Sequence, residues 1–310
     1  MITNKKKTNN NICTVLLLSY NHAPYISKCI ESVLSQKTQY PFIIKIFDDA
    51  STDGTQDIIR EYAKKYPNLI EAHISETNQG AQMNIWKAYK SVDTKYYILT
   101  ETDDYWCDNL RLEMQINALE KHPDCSFCST NTLIKVIEDK YLPFFNNRKQ
   151  ISNNIFKKKI INFDYINKKK AGFFTHLSSR VVRSSCMELD KIKNKESYAF
   201  DAAQFFYLLT KGNMYWIDKI SSVYVKTGKG ISTSASAEKR INMFVRAMTD
   251  LNEDTDYKIW GKIAQQIHLN RCYWTTLESR KRFGIPLNGK RNIFQHAKRL
   301  YCVLRTCFSD

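Results

Sequence analysis

Apolar β-like runs alternate with amphipathic helical runs from residue 12 to about residue 136, and this alternation constrains the fold more than any other feature. Ile12–Leu18, Phe42–Phe47, Leu69–Ile74 and Tyr96–Thr100 read as strands, followed by a fifth over Cys125–Val136. Pro24–Gln36 reads as a helix: Pro24 suits a first turn, and Ile26, Ile30, Val33 and Leu34 recur at helical spacing. Asp53 looks like the N-cap of a second helix, with Gln56 as its capping-box partner. Ala81–Val92 and Leu110–Lys121 complete the set, the latter with Leu112, Ile116 and Leu119 on one face. Such alternation predicts an α/β fold, a mostly parallel sheet covered by helices on both faces. Ligands of these folds bind at the carboxyl ends of the strands.

Polar motifs occupy those ends. The fourth strand runs into Glu101-Thr102-Asp103-Asp104-Tyr105-Trp106. Adjacent carboxylates at the mouth of a buried strand repel one another, and burial disfavours their charged forms. A hard divalent cation resolves that conflict, because Mg²⁺ and Mn²⁺ prefer oxygen ligands and bridge to phosphate; a solvated acidic turn is the alternative. The first strand ends in Ser19-Tyr20-Asn21, a triplet able to stack on a base and bond its edge, or an ordinary turn with Asn21 or His22 near a cap. The second ends in Asp48-Asp49-Ala50-Ser51-Thr52-Asp53-Gly54-Thr55. Turn chemistry accounts for Asp53–Thr55 but not for two adjacent acids. Asn78-Gln79-Gly80 precedes a helix that includes Asn84, and Gly80 permits a sharp turn or a close backbone approach to a ligand.

Beyond residue 137 the pattern loosens. Residues 138–170 carry nine Lys/Arg against three acids and read as a long basic insertion or loop. Gly172–Val182 and Met214–Val225 return to β-like composition, and Ala199–Leu209 reads as helical. From Ala237 onward the chain reads as basic helix, broken at Phe283-Gly284-Ile285-Pro286. Its last run, Lys290–Phe308, is amphipathic, with Ile293, Ala297, Leu300, Leu304 and Phe308 in one stripe flanked by Lys and Arg. That pattern suits an anionic membrane surface and equally a protein-packed helix.

In order and spacing, the four motifs resemble family 2 glycosyltransferases of the GT-A (Rossmann-like) fold. The likeness covers residues 12–232 and is strongest over 12–128. It implies a catalytic domain over 1–232, with a nucleotide-sugar-binding half at 12–128, the basic insertion at 138–170 and an acceptor half at 171–232. A helical region at 233–310 follows. It implies a UDP-sugar donor, with Ser19, Tyr20, Asn21, Asp49, Asn78 and Gly80 around the nucleoside, where Tyr20 and Asp49 hold the uracil. It implies Mn²⁺ or Mg²⁺ held by Asp104 with Asp103, and a glycan or lipid-linked glycan acceptor in bacterial surface polysaccharide synthesis.

Asp201 matches the family's acceptor base, although Phe200 stands where a Glu is usual. An apolar neighbour raises a carboxyl pKa by desolvation, which suits a general base; a plain helix cap is the bland reading. Lys226 and Lys229 lie in the loop that resembles the family's diphosphate cover, where Val225 and Thr227 replace the usual Arg and His. Ile85 stands where an Arg near the uracil is usual. His176 reads either as lining the acceptor pocket or as a satisfied half-buried histidine.

Composition bears on the rivals. A net charge of +16 suggests an anionic partner, but no RNA- or DNA-binding module is recognisable, and nucleic acid is not the expected partner. A sugar nucleotidyltransferase normally carries a Gly-rich loop near the N-terminus, and Ser19–Pro24 holds no Gly. A non-catalytic protein with an intact donor site is a third reading. No apolar run reaches the length of a transmembrane helix, and the run after the basic N-terminus is too short for a signal peptide, so a cytoplasmic protein, peripheral to the inner membrane face at most, is expected. Nine scattered cysteines, with Cys125-x-x-Cys128 the only close pair, suggest free buried thiols in a reducing compartment.

Overall fold

The computed structural model describes residues 10–137, 140–143, 158–169, 175–192, 201–227, 236–256 and 259–282. Its centre is one ten-stranded mixed sheet. The N-terminal elements are β1 (Cys13–Ser19), α1 (Ala23–Leu34), β2 (Phe42–Asp48), α2 (Thr55–Lys65), β3 (Ile70–Ile74), α3 (Ala81–Lys90) and β4 (Tyr96–Glu101). After them come β5 (Tyr105–Trp106), α4 (Arg111–Lys121), β6 (Cys125–Ile137), β7 (Lys140–Pro143), β8 (Ile160–Ile161) and α5 (Phe163–Lys168). A 3-10 turn (Leu177–Ser179) leads into β9 (Arg180–Arg183), α6 (Asp201–Lys211), β10 (Asn213–Val225), α7 (Ala237–Asp254) and α8 (Trp260–Arg282).

The strand order is β3-β2-β1-β4-β9-β6-β10-β5, with β7 beside β6 and β8 beside β10. The β1–β2, β2–β3, β1–β4 and β6–β10 ladders are parallel. The shorter β9, β5, β7 and β8 pairings are antiparallel. The chain leaves β1 toward β2 and β3, then crosses back to place β4 on the other side of β1. Order therefore reverses between β1 and β4, the point at which open α/β sheets bind ligands beyond their carboxyl ends.

Both faces of β1, β2 and β4 are buried, which is why those strands are nearly continuous apolar runs, whereas the edge strand β3 exposes Glu71, Ala72 and His73. One face carries Cys13, Val15 and Leu17 of β1 with Tyr96 and Ile98 of β4, under Ile26, Ile30 and Val33 of α1 and Leu112, Ile116 and Leu119 of α4. Each such side chain contributes about 1.5–3 kcal/mol on burial. The opposite face carries Leu16, Leu18, Tyr97 and Leu99 under Trp86 and Tyr89 of α3 and Phe205, Phe206 and Leu208 of α6. Ala247, Met248, Leu251 and Ile263 of α7 and α8 join this second core, so the described C-terminal helices pack on the sheet unit.

Two expectations change. Residues 138–170 are not wholly loop: Ile161, Phe163 and Ile166 are buried in the second core, and β8 pairs with β10. The basic tracts that suggest a loop flank these few apolar residues. Gly54, at φ +94°, is the N-cap of α2, and Asp53 makes no capping box with Gln56. Its Oδ1 accepts from the Thr55 amide and hydroxyl, and its Oδ2 from the Ala23 amide of α1. Cys125 and Cys128 are free and buried, as expected, and burial pushes the Cys125 thiol up to about 12. The amphipathic run Lys290–Phe308, with Lys229 and Phe200, lies outside the described residues. Among the described residues no helix is long and apolar enough to cross a membrane.

Candidate active site

Three strand ends meet at the switch point. In register, Ser19 of β1 lies beside Asp48 of β2, and Leu18 lies beside Glu101 of β4. The two β-to-α turns are then laced together by side chains. Asp48 is fully buried; its Oδ1 accepts from the Ser51 hydroxyl and its Oδ2 from the Ser51 amide. The Ser51 Oγ accepts from the Asn21 amide at 2.8 Å, and Asn21 Oδ1 accepts from the Thr52 amide at 2.9 Å. Asn21 and Ala50 both adopt positive φ, 55° and 60°. Asn tolerates that region and Ala less so, so the lacing holds Ala50 in a strained turn of the kind found at functional sites.

Asp49 is buried as well, and both its oxygens accept backbone N–H groups at 2.8 Å, Oδ1 from Gln79 and Oδ2 from Gly80. It ties the Asn78–Gly80 turn to the end of β2. Gly80 sits at φ +86°, which L side chains rarely adopt. Asn78 Oδ1 also accepts from the Gly80 amide, at 3.1 Å. Tyr20 is half exposed at the open side of this floor, while the Ser19 hydroxyl is buried with no hydrogen-bond partner among the described residues.

The acidic turn closes this floor on one side. The Asp104 amide donates to the Glu101 carbonyl, and the chain then re-enters the sheet as β5 against β10. Ligand oxygens of Glu101, Asp103 and Asp104 all lie within 4.8 Å of one another. They differ in exposure: Glu101 is open, Asp103 retains 13% of its side-chain surface, and Asp104 is fully covered. Burial, then the like charges of Asp103 and Glu101, drive the Asp104 carboxyl well above the carboxylate range. Burial also raises Asp103, against the pull of His22. Glu101 is pushed up to about 8 by desolvation among surrounding protein atoms and by the charges of Asp103 and Asp201. Because Glu101 faces open water, repulsion is the firmer of those two causes.

Asp103 Oδ1 is buried and has no hydrogen-bond partner among the described residues. A buried orphan oxygen between two further carboxylates is a costly arrangement that a hard cation relieves. The donor set, all oxygen, fits Mg²⁺ or Mn²⁺. Glu101 joins Asp103 and Asp104 here, a third carboxylate beyond the expected pair.

Side chains and amides from neighbouring turns hold these groups, and one of them, Ser178, is not singled out by the sequence. His22 Nδ1 is 2.9 Å from the Thr102 hydroxyl, and its Nε2 is 4.0 Å from Asp103 Oδ2. Asp104 Oδ2 accepts from the Ser178 hydroxyl at 2.5 Å, and Oδ1 accepts from the Val225 amide at 3.1 Å. His176 is buried rather than half-buried, beside Ser178, and desolvation pushes its pKa down to about 4.

Asp201 is the first residue of α6, partly buried, with Oδ2 3.4 Å from the Leu177 amide. Its position is set by Arg180, which is almost fully buried. Arg180 donates to the Asp201 carbonyl, the Thr175 hydroxyl and carbonyl, and Gln204 Oε1. Gln204 in turn donates to the Tyr89 hydroxyl of α3. Lys226 is exposed, and its amide continues the β6–β10 ladder. Ile85 is buried in the core.

The profile of the family described as "Glycosyl transferase family 2" matches residues 14–180. The chain is 34% identical over 119 residues to the putative teichuronic acid biosynthesis glycosyltransferase TuaG of Bacillus subtilis, a match covering 38% of this chain and 46% of that one. It spans under half the length of the curated relatives it matches, 33% in the case of an uncharacterized Mycobacterium tuberculosis protein. Among solved structures, S. aureus TarS 1-349 in complex with UDP-GlcNAc superposes with a TM-score of 0.57 at 17% identity, over 78% of this chain and 66% of that one. The Pyrobaculum calidifontis mannosyltransferase PcManGT in complex with GDP-Man and Mn²⁺ gives 0.60 at 15% identity, over 97% and 82%. At these identities the superpositions show a shared fold.

Proposed function

The chain belongs to glycosyl transferase family 2, and from that premise we propose that it is a divalent-metal-dependent inverting glycosyltransferase. In this reading it moves a sugar from a UDP-sugar to a hydroxyl of a glycan or lipid-linked glycan. The observation that carries the reading is the convergence of Glu101, Asp103 and Asp104 at the switch point, with a buried Asp103 oxygen that has no hydrogen-bond partner among the described residues.

Asp103, Asp104 and Glu101 are the groups that hold the cation, which when bound offsets negative charge developing on the leaving diphosphate. Tyr20 is exposed where it can stack on a base. Asp49 keeps its second lone pairs for a nucleobase N–H while its first accept from Gln79 and Gly80. Ser19, Asn21, Asn78 and Gly80 shape the surrounding backbone, and Lys226 supplies charge at the diphosphate side, with Lys229 following in sequence. Asp201 accepts the acceptor's hydroxyl proton as that oxygen attacks the anomeric carbon from the face opposite the diphosphate. The carbon–oxygen bond to the diphosphate breaks as the new one forms, and no covalent enzyme intermediate is required.

TuaG is a putative teichuronic acid biosynthesis enzyme by its name, and that likeness supports a role in surface polysaccharide synthesis. TarS with UDP-GlcNAc supports UDP, whereas PcManGT with GDP-Man marks GDP as the nucleotide to compare.

Calorimetric titration of UDP, with and without Mn²⁺, tests the reading. Binding that strengthens with Mn²⁺ is expected, followed by hydrolysis of a UDP-sugar and then transfer. Absence of UDP binding in both conditions refutes the uracil assignment, and absence of GDP binding as well refutes the nucleotide site.

A further inference from the structure

Asp104 is the covered member of the acidic cluster, and what covers it forms a closed ring. Its Oδ2 accepts from the Ser178 hydroxyl at 2.5 Å and its Oδ1 from the Val225 amide at 3.1 Å. Ser178 Oγ is 2.9 Å from His176 Nδ1; while the hydroxyl's one proton goes to Asp104, the ring nitrogen is the donor in this contact. The His176 ring stacks on Tyr224, with centroids 4.7 Å apart and planes 29° from parallel. Tyr224 immediately precedes Val225, so the ring returns to Asp104.

This arrangement answers a physical problem. A carboxylate beside two others is pushed to rotate away, and the torsion that turns an Asp carboxylate is soft. Donors on opposite oxygens, from different elements, fix its plane. A serine hydroxyl is itself a free rotor; the buried histidine, stacked on Tyr224, limits where its proton can point. Each Asp104 oxygen keeps a further lone pair for the interior of the cluster. His176 is only 5% exposed and Ser178 1%, so neither is open to a sugar or an acceptor.

We propose that Ser178 and His176 are positioning residues for the acidic centre, holding Asp104 in the orientation in which Glu101, Asp103 and Asp104 together take a divalent cation. The inference rests on the metal-dependent reading above and assigns these two side chains a role toward the cation without contact to it.

Calorimetric titration of Mn²⁺, alone and with UDP, into wild type and four variants tests it, alongside melting temperatures in EDTA. Ser178→Ala is expected to lose about 10–100-fold in Mn²⁺ affinity, the range typical of outer-shell metal partners. Ser178→Thr, which restores the hydroxyl, recovers most of that loss. His176→Phe keeps the stacking and loses the nitrogen, and it weakens Mn²⁺ binding; His176→Asn returns a polar atom near Nδ1 and recovers affinity. A Ser178→Ala protein with wild-type Mn²⁺ affinity overturns the proposal, even if its melting temperature falls, because that pattern describes a purely structural contact. If Ser178→Ala does not fold, equal Mn²⁺ affinity in the two His176 variants and wild type overturns it instead. A wild type that takes up no Mn²⁺ in either condition overturns the metal-centre reading itself, and the positioning role with it.

Discussion

Replacing Arg180 by Met tests how the acceptor half is built. Arg180 is 1% exposed and donates to the Thr175 hydroxyl at 2.9 Å, the Thr175 carbonyl at 2.6 Å, Gln204 Oε1 at 2.9 Å and the Asp201 carbonyl at 3.1 Å. Hydrogen bonds to a charged group contribute about 1.5–3 kcal/mol each, so the gross loss is large. Removing the guanidinium also removes its desolvation cost, several kcal/mol, and Met refills most of the volume. What remains is the cost of leaving buried acceptors on Thr175 and Gln204 unpaired, about 1–3 kcal/mol each. The expected net destabilisation is about 2–4 kcal/mol, read from urea unfolding at an unchanged m-value. Asp201 begins α6, and its carbonyl is one of the lost acceptors, so its carboxylate shifts too. Displacement of a reacting group by 1 Å costs about 10²-fold in rate; kcat for transfer is therefore expected to fall at least about 10-fold under conditions where the variant is folded. UDP affinity stays at the wild-type value, because the donor floor is built from other turns. A variant within about 0.5 kcal/mol of wild type, with unchanged kcat, refutes both the energetics and the positioning of Asp201 by Arg180.

Other changes separate the remaining roles. Asp201→Asn keeps the shape and is expected to retain UDP binding while transfer falls by about 10²–10⁴-fold, the usual contribution of a general base; undiminished transfer removes Asp201 from the mechanism. Asp103→Asn relieves repulsion in the cluster and the buried orphan oxygen, so without metal it is expected to melt higher than wild type. It also loses the stabilisation Mn²⁺ gives, which for wild type is about 2.7 kcal/mol at 100 times Kd; thermal scans with EDTA and with Mn²⁺ check both signs. Arg111 is fully buried over the Trp106 ring; its Nε donates to Gln115 Oε1, Nη1 and Nη2 have no hydrogen-bond partner among the described residues, and burial pushes its pKa down to about 9. Arg111→Met is therefore expected to be neutral or stabilising by about 1–4 kcal/mol in urea, as for other buried ions exchanged for apolar groups; a loss above about 2 kcal/mol contradicts this.

The N-terminal half of the fold was legible in the residues because its signals are local. Apolar runs of strand length and helical periodicities set each element, and β1 to β4 lie within two residues of their expected ends. The acids mark strand ends because a β-strand buried on both faces has nowhere else to place them. The same locality explains the misreadings. Asp53 followed by Gln56 is a cap pattern along the chain, but in space the Asp53 carboxylate also meets the Ala23 amide thirty residues away, and Gly54 takes the cap. The apolar residues of α5 are too few and too flanked by lysines to stand out, and tertiary burial alone makes them core.

What the sequence by itself determined is the order of elements and which chemical groups stand at the strand ends, since both follow from short-range pattern. What only the tertiary structure decided is how those groups are held. Asp104 takes its hydrogen bonds from residues 74 and 121 positions away. Asp49 spends one lone pair of each oxygen on amides 30 and 31 positions away. Ser178 and Arg180 carry no pattern that marks them along the chain, because a donor's importance lies in the buried acceptor it meets, and sheet pairing across distant strands makes that meeting.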